Sequence, residues 1–537
     1  MKTSPPPRRS DEATLIVAGS RGTRYATTPH LLASQAALQV MERGGNAIDG
    51  AIAANAVQGV VAPNTCGIGG DLFALIHRPG DAAPAVLNAS GVAGSGVSAD
   101  ALRRSHSEMP YRHPWTVTVP GCVAGWVELS EKWGVLPLDW SLEPAIQLAA
   151  DGFSVSDELS DSLGQIQDLI RFQPSSAPLY VQGAAPEPGA KIRRPGLAQT
   201  LEGIAAAGPD AFYRGMVADE IVAVTAGGLT RDDLADVRVD WVDPIGVDVF
   251  GLTAWTVPPN SQGYLTLAAC WLFEQLAPPR DPADPAFVHA AIEAYRAVAW
   301  ERDDLVSDPA TAPMDQTELL STERLGARLG SLSLDTAAPW PSPAPAPGGT
   351  AYMCVRDGDG VGVSLIQSNF AGIGSGLSAG DTGVFLQNRG AGFNLIPGHP
   401  NELMPGRRPL HTLSPTLWTK DGGLRLLLGT RGGQYQPQLL LQVAAHLLYS
   451  DAPRAASQPD PRWQVDGWGA GEEPIVNVEE RTDPAVVAGL EERGHRVQQV
   501  SDWEGGWGPV SLIGVADDDV YAAADPRVGS SAALMSD

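Results

Sequence analysis

A run of alternating prolines near the middle of the chain limits the fold more than any other feature. Residues 334–349 read LDTAAPWPSPAPAPGG, with proline at positions 339, 341, 343, 345 and 347. Alternating proline favours extended polyproline geometry and supplies no side chains that could pack a core. We therefore predict an exposed connector here. Since no other internal change of composition resembles a domain boundary, the 537 residues are expected to form one interleaved α/β unit.

A threonine follows the connector at the start of a predicted strand. The sequence TAYMCVRDGDGVGVSLIQS contains two β-like runs separated by Asp-Gly turns, which is typical of a hairpin. If the Gly349–Thr350 bond were cut, Thr350 would carry a hydroxyl and a free α-amino group, whose pKa near about 8 suits it to accept the hydroxyl proton. The cut can be intramolecular, because the Thr350 hydroxyl can attack the unhindered Gly349 carbonyl and water can hydrolyse the resulting ester. The residues alone leave open an ordinary strand-initiating threonine after a linker.

Other segments are predicted as packing elements. Apolar residues at helical spacing favour a helix over 31–43, ended by Gly44-Gly45. The alanine-rich segment 46–61 has few charges and predicts a helix that is buried on most sides. Further predicted elements are helices over 121–133, 143–150 and 438–449 and a strand over 424–429.

Charge and motif content argue against several classes of function. With 36 Lys and Arg against 62 Asp and Glu, the net charge of -26 argues against nucleic acid as a partner and is typical of a soluble acidic surface. The chain has no GxSxG elbow, phosphate loop or GxGxxG followed by a helix. The 4 cysteines lie far apart without a CxxC pair and the 9 histidines are scattered, so no disulfide framework, metal site or cofactor is predicted.

The lack of long apolar segments indicates the cellular compartment of the protein. The first residues contain no apolar stretch of signal-peptide length, and no later segment approaches about 20 consecutive apolar residues. Unpaired cysteines are also typical of a reducing compartment. We therefore expect a cytoplasmic protein that does not engage a membrane.

A set of motifs in fixed order makes the chain similar to a known family. In chain order, these motifs are ASQAALQVMERGGNAIDGAIAANA, GIGGDLFALIH, TVPGCVAGWVEL, EPAIQLAADGF, the hairpin quoted above, GVFLQNRGAGF, RRPLHTLSPTLW, GTRGGQ and ADPR. They resemble the γ-glutamyltransferase family of N-terminal-nucleophile hydrolases, in a divergent branch, over most of the chain. The resemblance implies a four-layer αββα sandwich of the α/β class. It further implies one precursor cut into a large subunit, 1–349, ending in the connector 336–349, and a small subunit, 350–537, which together form one domain.

The resemblance also implies roles for particular residues. Thr350 would form the acyl-enzyme, and Ser368 would hydrogen-bond this nucleophile and assist processing. Gly432 and Gly433 would polarise the acyl carbonyl, which agrees with the transition-state stabilisation that paired backbone N–H groups give to an oxyanion. The residues alone leave open a polar strand end for Ser368 and a plain tight turn for the glycine pair.

Departures from the family pattern concern the substrate. Typical γ-glutamyl enzymes hold the glutamate with an arginine, a Ser-Ser pair and an acidic residue, and these places read Ser90, His411-Thr412 and Gly392 here. Because serine does not replace a bidentate guanidinium, the usual recognition of glutathione is in doubt. Arg389 stands where the common enzymes carry a neutral amide. It is either a relocated contact for an anion or a structural ion-pair residue.

The leading functional prediction is an autoprocessed threonine hydrolase. It would form an acyl-Thr350 ester from a γ-glutamyl compound or another small carboxylate-bearing amide, and water or an amine would accept the acyl group. One alternative is an oxalyl-releasing amidohydrolase or a C–C bond hydrolase of an antibiotic-type pathway. A second alternative is an unprocessed, non-catalytic binding homologue. Whether αβ pairs form a dimer is left open.

Overall fold

The computed structural model describes residues 16–340, 349–466, 474–516 and 519–537. The strands of these residues are β1 (Ile16–Ser20), β2 (Arg24–Thr28), β3 (Asp71–His77), β4 (Ala85–Ala89), β5 (Phe153–Ser154), β6 (Lys191–Ile192), β7 (Asp240–Val242), β8 (Ile245–Val249), β9 (Leu252–Thr256), β10 (Gly349–Arg356), β11 (Gly362–Phe370), β12 (Thr416–Lys420), β13 (Gly423–Thr430), β14 (Trp463–Asp466), β15 (Ile475–Glu479), β16 (Val497–Val500), β17 (Val510–Ala516), β18 (Asp519–Ala523) and β19 (Ala532–Ser536). The α-helices are α1 (Leu31–Glu42), α2 (Ala47–Val61), α3 (Ala99–Arg103), α4 (Cys122–Trp133), α5 (Leu138–Asp151), α6 (Asp157–Ile170), α7 (Pro195–Ala207), α8 (Asp210–Tyr213), α9 (Met216–Val224), α10 (Arg231–Ala235), α11 (Tyr264–Leu276), α12 (Pro285–Ala299), α13 (Arg302–Leu305), α14 (Thr322–Leu329), α15 (Gln436–Leu448) and α16 (Pro484–Glu492).

Two seven-stranded antiparallel sheets organise the fold. The first sheet has the order β19-β2-β10-β11-β3-β4-β7, and the second has the order β1-β18-β17-β13-β12-β9-β8. A three-stranded sheet, β14-β15-β16, and a short pair, β5-β6, lie apart from them. This mixed α/β architecture confirms the predicted fold class.

Three apolar clusters show how the layers pack. Side chains from both sheets, such as Tyr352 and Leu427, form one cluster between the sheets. A second cluster joins the opposite face of the first sheet to helices that include α1, α2 and α4. A third joins the second sheet to α11, α12 and α15. The packing of the described residues therefore runs helix, sheet, sheet, helix.

Most of the predicted elements are present, with shifted ends. Helix α1 ends before Gly44, whose φ of 101° is the left-handed conformation that glycine favours. Helix α2 has all 15 residues buried, as its alanine-rich sequence predicts, and Asn46 and Asp49 form a capping box at its start. Helix α5 begins at Leu138, five residues before the predicted start at 143, with Pro144 accommodated inside it.

The connector is only partly within the described residues, since positions 341–348 lie outside them. The preceding part is held against the fold, because the Ala337 amide donates to the Arg493 carbonyl (2.7 Å) and Arg296 Nη1 donates to the Pro339 carbonyl (3.1 Å). Trp340 is partly buried and packs against the third cluster. The prediction of an exposed connector is therefore wrong for Trp340, because an aromatic side chain gains free energy by covering an apolar surface. After the connector, β10 and β11 form the predicted hairpin.

In the parts of the chain that are described, no helix combines the length and the apolar composition needed to cross a membrane.

Candidate active site

Three adjacent strands of the first sheet bring Thr350 and two further polar side chains to one end of one face. In β10, Tyr352 packs between the two sheets, so the alternation of side chains places Thr350, two residues earlier, on the same face. The same argument applies to Ser368 in β11 and Asp71 in β3, whose neighbours two residues away also pack between the sheets. Ser368 and Asp71 are paired across the strands, and all three side chains are buried.

The pairing of β10 with β11 is irregular at Thr350. Between the two pairs that flank Thr350, β11 contains one residue more than β10, so Thr350 lies opposite a bulge formed by Ser368 and Asn369. The Ser368 hydroxyl accepts a hydrogen bond from the Phe370 amide (2.7 Å). Phe370 has a φ of 76°, which is rare for a large side chain. Bulges and strained residues of this kind cluster at functional sites.

Gly432 and Gly433 lie where β13 of the second sheet turns into a helix. Their φ values of 121° and 57° belong to the left-handed half of conformational space, which explains why two glycines stand here. A 3-10 turn from Gly433 to Tyr435 leads directly into α15, so the pair stands at a helix N-terminus, where backbone N–H groups favour negative charge. Gly429, three residues earlier, has no room for a side chain because an added Cβ would lie 2.3 Å from the Tyr352 ring. The glycine pair therefore follows a point of close contact with the Thr350 strand.

Polar contacts join the glycine pair to the loop that precedes β12. Gln262 Nε2 donates to the Gly433 carbonyl (3.1 Å) and to the Thr412 carbonyl (3.0 Å). The Thr412 hydroxyl in turn accepts from Arg389 Nη1 (3.2 Å). The guanidinium carbon of Arg389 lies 4.3 Å from the centre of the Phe370 ring, which is next to the bulge opposite Thr350. These contacts connect the strand of the predicted nucleophile with the predicted oxyanion hole.

Arg389 is a buried cation with incomplete pairing. Its side chain is 0% exposed, and its Nε and Nη2 have no hydrogen-bond partner among the described residues. Burial lowers the pKa of Arg389 to about 10, while the charge of Asp71 opposes that shift, so the side chain remains a cation at neutral pH. A buried N–H group without an acceptor is costly, and a buried charge is more so. Two donors of Arg389 are thus available to an anion.

His411 is neutral and oriented by Asp71. Its Nε2 lies 3.1 Å from the Asp71 carboxylate, its Nδ1 accepts from the Leu413 amide (3.4 Å), and its ring stands edge-to-face against Phe73. Burial, and secondarily the charge of Arg389, lower the pKa of His411 to about 3. The neutral ring therefore donates from Nε2 to Asp71 and does not compete with Arg389 for an anion.

Ser90 is hydrogen-bonded within a polar network of its own. Its hydroxyl donates to Asn88 Oδ1 (2.6 Å) and accepts from Asn260 Nδ2 (3.2 Å), while its carbonyl accepts from Arg408 Nε (2.8 Å). These contacts hold the loop beside the first sheet. They give the Ser90 side chain a structural role that does not require a substrate.

Gly392 cannot be replaced by a larger residue without movement of the backbone. An added Cβ would lie 2.5 Å from the Leu410 carbonyl oxygen, closer than real Cβ contacts. Asn401 Nδ2 also donates to the Gly392 carbonyl (2.6 Å). An acidic side chain for a substrate amino group therefore has no space at this position.

Tyr111 lies near Phe370 and Arg389 and is more exposed than either of them. Its side chain is 37% exposed, and its ring centre lies 5.8 Å from that of Phe370. The Tyr111 carbonyl accepts from Asn388 Nδ2 (2.8 Å), which fixes the loop to the segment that carries Arg389. Burial raises the pKa of Tyr111, so the phenol stays protonated at neutral pH.

A cavity of about 480 Å³ lies between α12, α15 and the three-stranded sheet. It is lined by apolar side chains such as Phe287, Val443 and Trp463 and contains none of the predicted site residues. The predicted site residues therefore lie apart from this cavity.

Sequence reasoning did not identify four residues of this site. Asp71 had a readable signal, because it opens a strand, DLFALIH, in which it is the only acidic residue. Gln262, Phe370 and Tyr111 gave none, since they reach the site through loops and strand ends that are far apart in the chain.

Three comparisons with known proteins each match most of the chain. A family model described as Gamma-glutamyltranspeptidase matches residues 33–535. The chain is 35% identical over 529 residues to the "Glutathione hydrolase-like YwrD proenzyme" of Bacillus subtilis, covering 96% of this chain and 98% of that protein. It is 34% identical over 521 residues to the "Oxamate amidohydrolase proenzyme" of Klebsiella pneumoniae, covering 95% and 98%. The solved structure of a cephalosporin acylase from Bacillus halodurans superimposes with a TM-score of 0.89 at 33% identity, covering 100% of this chain and 98% of that one.

Proposed function

Because the chain belongs to the gamma-glutamyltranspeptidase family of N-terminal-nucleophile hydrolases, we propose that it is a proenzyme that cuts itself between Gly349 and Thr350. Two relatives that match about 95% of the chain are named proenzymes. Thr350 stands at the start of a central strand opposite a bulge, and Gly349 puts no side chain in the path of an attack on its own carbonyl. The products would be the large subunit 1–349 and the small subunit 350–537.

The cut would give Thr350 the base it needs. The new α-amino group takes the proton of the Thr350 hydroxyl, whose oxygen attacks the acyl carbonyl of the substrate. The N–H groups of Gly432 and Gly433 would bind the oxyanion, a contribution of about 3 kcal/mol per donor in well-studied hydrolases. Ser368, in the bulge, would orient the nucleophile. The amine product leaves, and water or a second amine takes the acyl group from the Thr350 ester.

The acyl donor is a small amide that carries a carboxylate. The observation that carries this proposal is the buried guanidinium of Arg389, which has two unpartnered nitrogens beside the strand end of the nucleophile. A carboxylate matches the planar donors of arginine better than any neutral group does. Burial in a low-dielectric site also strengthens such a pair.

One observation favours an acyl donor without an α-amino group, because Gly392 leaves no space for the acidic side chain that would bind such a group. Ser90, at the place of the family arginine, is engaged by Asn88 and Asn260 and offers no substitute contact for an α-carboxylate. An oxalyl amide has a carboxylate and no α-amino group, and a relative 34% identical to this chain is named an oxamate amidohydrolase. A γ-glutamyl amide is the other substrate to be compared.

The proposed cleavage is tested by intact-mass measurement and N-terminal sequencing of purified protein. We expect two chains, of which the smaller begins TAYM, and a single full-length chain for Thr350→Ala. Ser368→Ala should be cut more slowly than the wild type. A small chain that begins at another residue, or a Thr350→Ala protein cut at the normal rate, would contradict the proposal.

The acyl donor is tested by parallel hydrolysis assays of the processed protein. Oxamate, γ-glutamyl-p-nitroanilide and the neutral control acetamide would be compared by kcat/KM. We expect oxamate to be the best of the three and acetamide the worst. Equal turnover of oxamate and acetamide would show that the carboxylate is not recognised.

A further inference from the structure

Three potential metal ligands meet outside the active site. His289 and Glu293 lie one turn apart on α12, and His495 lies between α16 and β16. All three are buried, and one ligand atom from each lies within 4.8 Å of the others. His289 Nδ1 and His495 Nε2 are 2.7 Å apart.

The backbone fixes the direction in which His289 can bind. Its Nε2 lies 2.9 Å from the Ser333 carbonyl, which can only accept a hydrogen bond. In the neutral ring, Nε2 therefore carries the proton, and Nδ1 presents its lone pair to His495. A histidine that ligates a metal usually donates its other N–H to a carbonyl or carboxylate in this way.

Glu293 contributes a carboxylate oxygen that lacks a donor. Its Oε2 accepts from Arg296 Nε (3.1 Å) and from the Ala338 amide (3.2 Å). Its Oε1 is buried and has no hydrogen-bond partner among the described residues. A buried carboxylate oxygen without a donor is costly, and a cation would satisfy it.

We propose that His289, Glu293 and His495 bind a divalent transition-metal ion of the zinc class. Two imidazoles and one carboxylate are a common ligand set for such ions, with the remaining position taken by water. Ligands at about 2.0 Å from one ion stand about 3.3 Å apart, so the two imidazoles need to separate by a few tenths of an ångström.

The charged neighbours set an upper limit to the affinity. Arg296 pairs with Glu293, and Arg493 also lies near the imidazoles, while Asp335 provides the opposing charge. Two nearby guanidinium groups repel an added cation. We therefore expect weaker binding than in sites whose ligands are surrounded by carboxylates.

The position of the cluster gives the ion a structural role. His289 and Glu293 precede the proposed cleavage point and His495 follows it, while Ser333 lies just before the connector and Ala338 lies in its first residues. A bound ion would hold this part of the chain against α12 and, if the proposed cut occurs, would join the two subunits. Binding itself does not depend on the cut, so an uncleaved protein that binds the ion would separate this inference from the proposed function.

Binding is tested with Co²⁺, whose visible absorption reports its coordination. Full-length protein treated with a chelator would be titrated with Co²⁺ near neutral pH, and Zn²⁺ would then be added. We expect a saturable band at one equivalent, displaced by Zn²⁺, with binding weakened about 100-fold in both His495→Gln and Glu293→Gln. His106→Gln is the matched control, because His106 and His113 lie together at the surface, with ring centres 6.0 Å apart. This control should bind as the wild type does.

Two outcomes would overturn the inference. If the wild type gives no saturable band, the cluster is a hydrogen-bonded group without metal affinity. If both variants keep the band, the ion binds elsewhere. Thermal unfolding provides a second measurement, since Zn²⁺ should raise the Tm of the wild type and of His106→Gln only. Should His495→Gln fail to fold, the near-isosteric Glu293→Gln decides the question.

Discussion

Arg389 and Arg527 are both buried, but their surroundings differ. Arg527 Nε and Nη2 donate to the two oxygens of Glu479 (2.8 and 2.7 Å), and its Nη1 donates to the Gln458 carbonyl and to Asp525. Arg389 has one such contact, to Thr412, and two unpartnered nitrogens. A buried cation with all of its acceptors supplied from within the protein serves the fold. The proposed role of Arg389 in binding an anion rests on this difference.

The largest effect is expected on stability when Arg527 is replaced. Arg527→Met removes the cation from Glu479 and Asp525, which are both buried. Loss of one member of a buried ionic network costs about 4 kcal/mol, so the free energy of unfolding should fall by about that amount. Denaturant unfolding of the uncleaved Thr350→Ala background provides the measurement. A change below about 1 kcal/mol would mean that the ion pairs of Arg527 with Glu479 and Asp525 contribute little to stability.

Arg389→Met is expected to lower activity without lowering stability. Its activity on a carboxylate-bearing amide should fall about 100-fold in kcat/KM, equivalent to about 3 kcal/mol, because the substrate loses a charge-assisted contact. The free energy of unfolding should be unchanged or higher, since an incompletely paired buried charge is removed. The free energy of unfolding is measured in the Thr350→Ala background used for Arg527→Met, and kcat/KM is measured in processed protein that retains Thr350. If Arg389→Met is active but unstable, Arg389 is a structural residue.

A smaller effect is expected from Thr412→Val. This substitution keeps the shape of the side chain and removes the acceptor of Arg389 Nη1. We expect kcat/KM to fall about fivefold, equivalent to about 1 kcal/mol, because the guanidinium is less well oriented. Thr317→Val, at an exposed position, is the control and should leave kcat/KM unchanged. A Thr412→Val protein with normal kcat/KM would show that Phe370 packing alone orients Arg389.

The smallest effect concerns the pH dependence of stability. The folded pKa of His411 is lowered to about 3, by burial first and by the Arg389 charge second, so between about pH 6.5 and 3 the unfolded state binds a proton that the folded state does not. His411 therefore contributes a loss of stability as pH falls through this window. In Arg389→Met the pKa of His411 should rise, and the loss between pH 6 and 4 should be less steep than in the wild type. Unfolding free energies at several pH values test this, and equal slopes would contradict it.

The sequence predicts the parts of this fold that depend on local patterns. The alanine-rich segment 46–61, which has few charges, predicts a helix that is buried on most sides, and Asp-Gly turns predict the hairpin of β10 and β11; both are observed. The family resemblance provides Thr350, Ser368 and the glycine pair as site residues, and their roles stay predictions. Helix α5 begins earlier than predicted, at Leu138, and Pro144 lies inside it.

Contacts between distant segments could not be predicted from one sequence. Arg389 was recognised as either an anion contact or an ion-pair residue, and only its surroundings in the folded chain distinguish these roles. The proposed metal site was not predicted from the sequence, because its two histidines are separated by 206 positions. A histidine and a glutamate one helical turn apart gave a partial signal, but the third ligand depends on how α16 packs against α12.

Gly392 bears on how substrate preference can change in this family. Where the resemblance expects an acidic residue, the Leu410 carbonyl already occupies the space of a first side-chain carbon. An engineer who introduces aspartate here therefore needs to displace the loop around 410 at the same time. Evolution meets the same obstacle, since the single substitution passes through a distorted protein before it confers any benefit. Specificity at this position is expected to change only through paired substitutions, so related enzymes should separate into discrete groups with few intermediates.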